Sequence, residues 1–429
     1  MPILQRLFVL LTLIISGTAT GLCAQTTWTG NFGTAWNSST NWTAGIPTAS
    51  SDVIIPNTTN KPQIPGTAMA KSLRVEAGAI LTINPGATLT MNGATTESLN
   101  NSGTIENNGT INIGNTGSAG IYGILNFASL KNNAGGIINI DRATGTGSAA
   151  LYNSQTSCIF TNNGTVNIGR NAATGFYGII NNGLITNTAT GKLFIDRVIT
   201  AAIQTTWVVS GPVIYNFGEI TIGSLSGGNV LVNGIMVGRS VYNRAGAVIN
   251  IDRAGTAFLF SGSDVINEGA ITVGKNTEVP QLVKIANGII TPGNLSNQAN
   301  GVFEGSGTLD VTYENSGGTV SPGAGAGVAG RMHFNTNGNQ YFTNGIVRIE
   351  VNGAGTAGIS YDHVRLDAEV FLGGTLSFSI AYTPVTGDRI TVIRAEKVNG
   401  AFGTVTGLPA GWNLTYTDTT VVASFGLLP

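Results

Sequence analysis

One string of residues returns along the middle of this chain at intervals that leave few architectures open. Asn108-Gly109-Thr110-Ile111-Asn112-Ile113-Gly114 recurs as Asn163-Gly164-Thr165-Val166-Asn167-Ile168-Gly169, as Phe217-Gly218-Glu219-Ile220-Thr221-Ile222-Gly223 and as Glu268-Gly269-Ala270-Ile271-Thr272-Val273-Gly274, a unit of about 55 residues. A second series lies between: Ile138-Asn139-Ile140-Asp141-Arg142, Leu193-Phe194-Ile195-Asp196-Arg197 and Ile249-Asn250-Ile251-Asp252-Arg253. Gly109, Gly136, Gly164, Gly191, Gly218 and Gly246 are separated by 27, 28, 27, 27 and 28 residues, so one coil is half the unit. Repetition at this length marks a solenoid, whose units bury their apolar faces against their neighbours.

Within each repeat, as in Thr110-Ile111-Asn112-Ile113, apolar residues fall at every second position. That is the period of a strand with one buried face. No window of a dozen residues keeps apolar positions at i, i+3, i+4 and i+7 without an interrupting Gly or Asn, which argues against helix-bearing repeats. The expected fold is all-β, a right-handed parallel β-helix with two or three short strands per coil and Gly or Asn at the corners. Stacking at about 4.8 Å would superpose equivalent residues. Asn108, Asn163 and Asn216, or Asn132, Asn187 and Asn243, are then expected to form amide ladders, as stacked Asn do in cross-β assemblies.

The ends differ from the middle. Residues 1–24 carry Arg6, the apolar run Phe8–Ile15 and a small-residue stretch to Cys23-Ala24, the pattern of a secretory signal cleaved after Ala24 rather than a membrane span. Residues 25–66 hold Trp28, Trp36 and Trp42 and are expected to cap the open end of the coils; the rival reading makes the three indoles a platform for stacking sugars. Residues 67–345 form the coils, and 346–429 read as a separate small β module closing the other end. Ser321-Pro322-Gly323-Ala324-Gly325-Ala326-Gly327 lacks the Lys-Ser/Thr of a phosphate-binding loop and reads as a turn.

Charge narrows the function classes. With 20 Lys+Arg against 21 Asp+Glu, and only 10% of residues charged, no basic stripe suits a nucleic-acid partner. His333 and His363 are the only histidines, which leaves no Cys/His metal site, and no cofactor is expected. After cleavage Cys158 would be the one cysteine, a small buried residue beside Ile159-Phe160. A polar, nearly uncharged surface suits glycans, other neutral surface polymers, or further copies of the same chain.

Trp28, Trp36, Asn41-Trp42, Gly45-Ile46-Pro47 and Asp52-Val53-Ile54-Ile55-Pro56, the Asn-x-Gly-x-Ile coils and Ser321-Pro322-Gly323 together resemble secreted bacterial β-helix proteins of the autotransporter-passenger and adhesin type. Tyr361-Asp362-His363-Val364, Leu372-Gly373-Gly374-Thr375-Leu376, Gly387-Asp388 and Gly400-Ala401-Phe402 look like the passenger region that precedes the membrane anchor in those proteins. The resemblance implies a surface-exposed or secreted, non-catalytic protein. It departs from the family in that no outer-membrane barrel is expected after Phe425.

The same fold also hosts polysaccharide lyases and glycosidases, so an enzyme is the alternative. A glycosidase needs two carboxylates about 5 to 9.5 Å apart, and a calcium-dependent lyase needs clustered Asp with a basic residue. The best candidate column is Asp141, Asp196 and Asp252 with Arg142, Arg197 and Arg253. Recurring every second coil, its Asp would lie about 9.6 Å apart, beyond a shared calcium ion. The motif is read as a stripe of both signs on a solvated edge, with a repeated weak ligand comb as the functional option. Neither histidine lies in a nucleophile context.

Overall fold

The four-residue alternating runs become short strands whose second and fourth side chains turn inward, and the chain winds as a parallel β-solenoid of about 13 turns. The computed structural model describes residues 25–205, 214–225, 231–261, 263–274, 281–285, 293–336 and 338–426; the signal expected at 1–24 lies outside them. One coil runs Tyr122–Asn126, Ser129–Asn132 and Ile137–Ile140, and the next runs Ala149–Asn153, Ile159–Asn162 and Thr165–Ile168. Each strand pairs in parallel with its equivalent one coil on: Ile124 with Leu151, Leu130 with Phe160, Ile138 with Val166. Three faces result, called first, second and third in that order.

The inward columns make one continuous core. On the third face it passes through Ile111, Ile138, Val166, Leu193, Ile220, Ile249 and Ile271, each at most 1% exposed. Burying such a side chain contributes about 2 kcal/mol. Towards the C-terminus the columns widen, and Phe303, Tyr313, Phe334 and Phe342 pack with ring centroids 5.5 to 5.8 Å apart.

At the corner between second and third faces the chain turns on a buried asparagine. Asn107, Asn132, Asn162, Asn187, Asn216, Asn243 and Asn267 each donate Nδ2 to Oδ1 of the next at 2.8 Å, reaching Asn297, which continues to Asn315 at 3.1 Å. The two expected columns are thus one ladder, with a change of member. Asn216 belongs to it, whereas Asn108 and Asn163 sit one residue further on, outside the corner, where Asn133 bonds Asn108 and Thr188 bonds Asn163. Ladder neighbours are 25, 30, 25 and 29 residues apart from Asn107 to Asn216. Turn length therefore alternates between coils, which is the physical origin of the double-length repeat. The glycine ending each short turn is fixed by contact: a Cβ at Gly164 would lie 2.1 Å from the Gly136 carbonyl oxygen.

A shorter ladder, Asn101, Asn126, Asn153 and Asn181, bonds at 2.7 to 2.8 Å on the corner between first and second faces. Cys158 packs beside it, fully buried, and donates to the Asn126 carbonyl at 3.2 Å; burial pushes its thiol up.

Both expected boundaries fall inside regular structure. Gln25–Thr27 already pairs in parallel with Asp52–Ile55, which pairs with Ser72–Val75, so the segment before residue 67 is solenoid as well as cap. A break at 345/346 would cut the single strand Gln340–Val351, whose Ile346–Val351 half pairs in parallel with Thr375–Ile380. Coils continue to Thr404–Thr406. The closing piece is smaller: Arg389–Arg394, Trp412–Tyr416 and Thr420–Phe425 form an antiparallel set in which Trp412 packs on Phe425.

Candidate functional site

The Asp–Arg column is not a solvated stripe. Asp141, Asp196 and Asp252 are 1, 1 and 4% exposed, because each side chain turns between coils at the corner after the third face. Coils with the short Asn turn end in Gly114, Gly169 and Gly223; coils with the long turn end in Asp–Arg. Asp141 accepts from the Asn171 and Ala172 amides at 3.2 Å in the following coil, and Arg142 donates to the Gly114 carbonyl of the preceding one at 2.7 Å and to that of Asn115. Asp196 repeats the grip on the Leu225 amide at 3.1 Å and lies 3.7 Å from Arg170, while Arg197 donates to the Arg170 carbonyl. Burial raises the Asp196 carboxyl, with the Leu225 amide and Arg170 opposing. The dipeptide is a staple across three coils: Asp141 spends both carboxylate oxygens on the following coil, whereas Asp196 uses Oδ1 and leaves Oδ2 buried without a hydrogen bond. Asp252 and Arg253 stand at the third such corner, which runs directly into the strand Ala254–Phe260.

Trp28, Trp36 and Trp42 are equally enclosed, at 1, 2 and 5% exposed. Trp42 meets both partners edge to face, with centroids 5.0 and 4.7 Å away, and donates Nε1 to the Trp36 carbonyl at 2.7 Å. Trp28 donates to the Asn60 carbonyl at 2.8 Å. No ring face is open for a pyranose, so the sugar-platform reading is corrected: these indoles are the core of the cap.

Three places where the repeat is broken carry the remaining chemistry. The first is a depression of about 340 Å³ on the first face beside the cap, lined among others by Asp52, Lys71, Ser72, Arg74, Glu97 and Asn100. Ser72 donates to Asp52 at 2.6 Å, Lys71 lies 3.5 Å from the same carboxylate, and Asn100 donates to Glu97 at 3.1 Å.

The second lies on the column just outside the Asn ladder. Successive residues there are Asn108, Asn133, Asn163, Thr188, Phe217, Arg244 and Glu268, stacked by backbone bonds such as Phe217 N–H to the Asn187 carbonyl at 2.7 Å. Phe217 is 42% exposed and stacks on Tyr215, centroids 6.4 Å apart; Tyr215 packs on Tyr242 at 5.4 Å. Arg244 covers both tyrosines at 5.5 and 4.8 Å and is held by Glu268 at 3.0 Å. Beside Phe217 opens a groove of about 420 Å³ that also touches Thr190, Lys192, Glu219, Val248 and Asn250. The signal was present in the sequence: Asn-Phe-Gly at 216–218 replaces the Asn-Asn-Gly of 107–109 and 162–164.

The third is near the C-terminal closure, where both histidines sit on adjacent strands, Arg331 opposite His363 and His333 opposite Arg365. Asp362 is fully buried and accepts from the Gly330 and Glu350 amides at 2.8 and 2.9 Å. Burial pushes its carboxyl up to about 8, against those two bonds and with help from the Glu350 charge. Burial lowers the His363 imidazole, whose Nδ1 lies 2.7 Å from the Thr391 carbonyl oxygen. His333 Nε2 lies 2.8 Å from Asp367. Among the described residues no group of three or more His, Cys, Asp or Glu is placed to hold a metal ion, and no helix is long and apolar enough to cross a membrane.

Residues 27–146 match the model of a family described as a domain of unknown function, DUF8693, a stretch holding the tryptophan cap, the charged depression and the first Asp–Arg corner. No curated protein matches the chain.

Proposed function

We propose that the protein is an exported β-solenoid that acts at the cell surface or outside the cell as an adhesive or structural rod, without catalysis. One observation carries the reading: the unbroken amide ladder from Asn107 to Asn315 holds successive coils in one register, so outer side chains recur as columns one strand spacing apart. Outer Asn112, Asn139 and Asn167, bonded at 2.8 and 2.9 Å, are such a column. Equivalent weak contacts along a rigid column reinforce one another, because each engaged rung raises the effective concentration of the next. Such a surface contacts an extended polymer better than a compact ligand.

The test is retention of purified residues 25–429 on intact cells and on immobilised polysaccharides, with retention lost on denaturation. Retention of native and denatured protein alike on every surface would count against it.

A second reading, a carbohydrate-active enzyme, is favoured by the first-face depression, the place where two acids, Asp52 and Glu97, share a cavity with two cations. Release of reducing ends or unsaturated sugars from a polysaccharide panel, abolished in both Asp52→Asn and Glu97→Gln, would put this reading ahead.

A further inference from the structure

We propose that the groove beside Phe217 is a binding subsite for a neutral polysaccharide strand, its exposed ring stacking on a sugar face while Thr190, Lys192, Glu219 and Asn250 hydrogen-bond the hydroxyls. The inference rests on the polymer-contact reading and gives it an address.

Phe217 stands on a column whose other members, Asn108, Asn133, Asn163, Thr188, Arg244 and Glu268, are all polar, and it is the corner position where an apolar ring stands 42% exposed although a polar residue meets every structural need of the turn. Its backbone amide makes the same bond as its neighbours on the column, so the ring is not required to hold the corner. The ring is also supported from beneath: Tyr215 stacks on it with planes 27° apart, and Tyr242 and Arg244 brace Tyr215. A ring fixed in this way presents its negative face without further loss of side-chain freedom, and the axial C–H groups of a pyranose carry the matching positive polarisation.

The groove selects the class of partner by its charge and size. Lys192 and Glu219 are register partners of opposite sign, so the lining is neutral overall and gives no advantage to an acidic polymer. Arg244, one coil on from Phe217, is paired with Glu268 and laid over the tyrosines. At about 420 Å³ the cavity falls at the small end of ligand sites, about 300–1,000 Å³, and its open sides let a chain run on past it. One aromatic face with a few convergent polar groups is the composition of a site for a ligand that is apolar on its faces and hydroxylated at its rim.

The experiment titrates purified residues 25–429 with four neutral hexaoses, those of the cellulose, starch, xylan and mannan series, and with polygalacturonate as the acidic probe, by calorimetry. At least one neutral hexaose is expected to bind, with the dissociation constant rising about tenfold in Phe217→Ala and in the Lys192→Ala/Asn250→Ala pair. Lys397→Ala, an exposed side chain of the C-terminal coils several turns from the groove, is the control and leaves binding unchanged. The exposed ring makes Phe217→Ala a fold-neutral change, checked by an unaltered melting point. Binding that survives Phe217→Ala places the contact elsewhere and overturns the groove while leaving the adhesive reading in place. Binding of polygalacturonate alone, abolished by salt, overturns the neutral class. Absence of binding to every probe overturns the subsite; if retention on cells and polysaccharides is absent too, the adhesive reading falls with it.

Discussion

The regular coils between Asn101 and Gly274 and the coils beyond Arg331 solve one problem by different chemistry. Both must bury polar groups where the chain turns a corner. At the corner between second and third faces the regular array uses neutral amides, each giving and taking a bond along the solenoid axis, so one solution serves every coil there. The C-terminal coils use ionisable groups once each: Asp362 spans the Gly330 and Glu350 amides, and Glu350 Oε2 is buried without a hydrogen bond. An amide ladder can be extended indefinitely because no member changes charge. A carboxylate used in the same way would set equal charges one rung apart in a low dielectric, so it is confined to single positions such as Asp362 or, as with Asp141, Asp196 and Asp252, to every second coil with an arginine beside it.

The harshest way to break this comparison is to remove one rung. Asn187 accepts from Asn162 and donates to Asn216 at 2.8 Å, to the Glu219 carbonyl at 3.1 Å and to the Gly191 carbonyl at 3.2 Å. Asn187→Ala leaves several buried partners unmet, each costing about 1–3 kcal/mol, so a loss on the order of 4 kcal/mol is expected in urea unfolding. Asn187→Asp is expected to be no better, since the carboxylate cannot donate to Asn216. A cost below about 1 kcal/mol for the Ala variant would mean that core packing alone holds the register.

Acidity sharpens the comparison with a smaller, localised effect. Asp362 holds its proton more tightly folded than unfolded, so its contribution is complete below the ordinary carboxyl value near 4 and is lost as pH climbs through about 8. His363 runs the other way: its folded value is lowered, so its contribution is present above the ordinary imidazole value and lost as pH falls through the lowered one. Between pH 6.5 and 9 the C-terminal coils are expected to lose a few kcal/mol of protection against hydrogen exchange at Gly330 and Glu350. Amides on the Asn ladder keep theirs. Asp362→Asn lowers the starting level, because an NH2 now faces one of the two amides, but flattens the slope. An equal slope in wild type and variant would remove Asp362 as the cause.

How far the sequence could be read follows from the same contrast. Periodicity alone predicts coils, parallel pairing and the Asn132–Asn187–Asn243 column, because period-2 alternation and coil length fix which side chains superpose. It misplaces Asn108 and Asn163, since in Asn-Asn-Gly the inward residue is chosen by strand pleat, and only the structure shows that pleat selecting Asn107 and Asn162. Asp–Arg looks like a surface pair because charged residues seldom bury; the partners that permit burial are backbone groups of other coils, which leave no mark in the sequence. The C-terminal boundary is displaced because its strands lose the repeat's letters while keeping its register. Phe217 passes unread when its string is matched for what repeats, and it is found by looking for the letter that does not.

The smallest expected effect concerns the staple and decides whether its arginine is held by bonds or by backbone shape. Arg142 has φ +54°, a left-handed conformation that costs a non-glycine residue about 1 kcal/mol. Its guanidinium donates to the Gly114 and Asn115 carbonyls, charge-assisted bonds worth about 1.5–3 kcal/mol where partly buried. The bonds outweigh the strain, so Arg142→Ala, which keeps the strain and loses the bonds, is expected to cost about 2 kcal/mol, and Arg142→Gly, which loses both, about 1 kcal/mol. Arg253 occupies the third Asp–Arg corner without a positive φ, so there the order inverts and glycine is the worse replacement by roughly 0.5 kcal/mol. Chemical unfolding of the four variants measures both differences. If glycine is better at Arg253 as well, relief of strain is not what separates the corners, and the alternation of coil types rests on the aspartates alone.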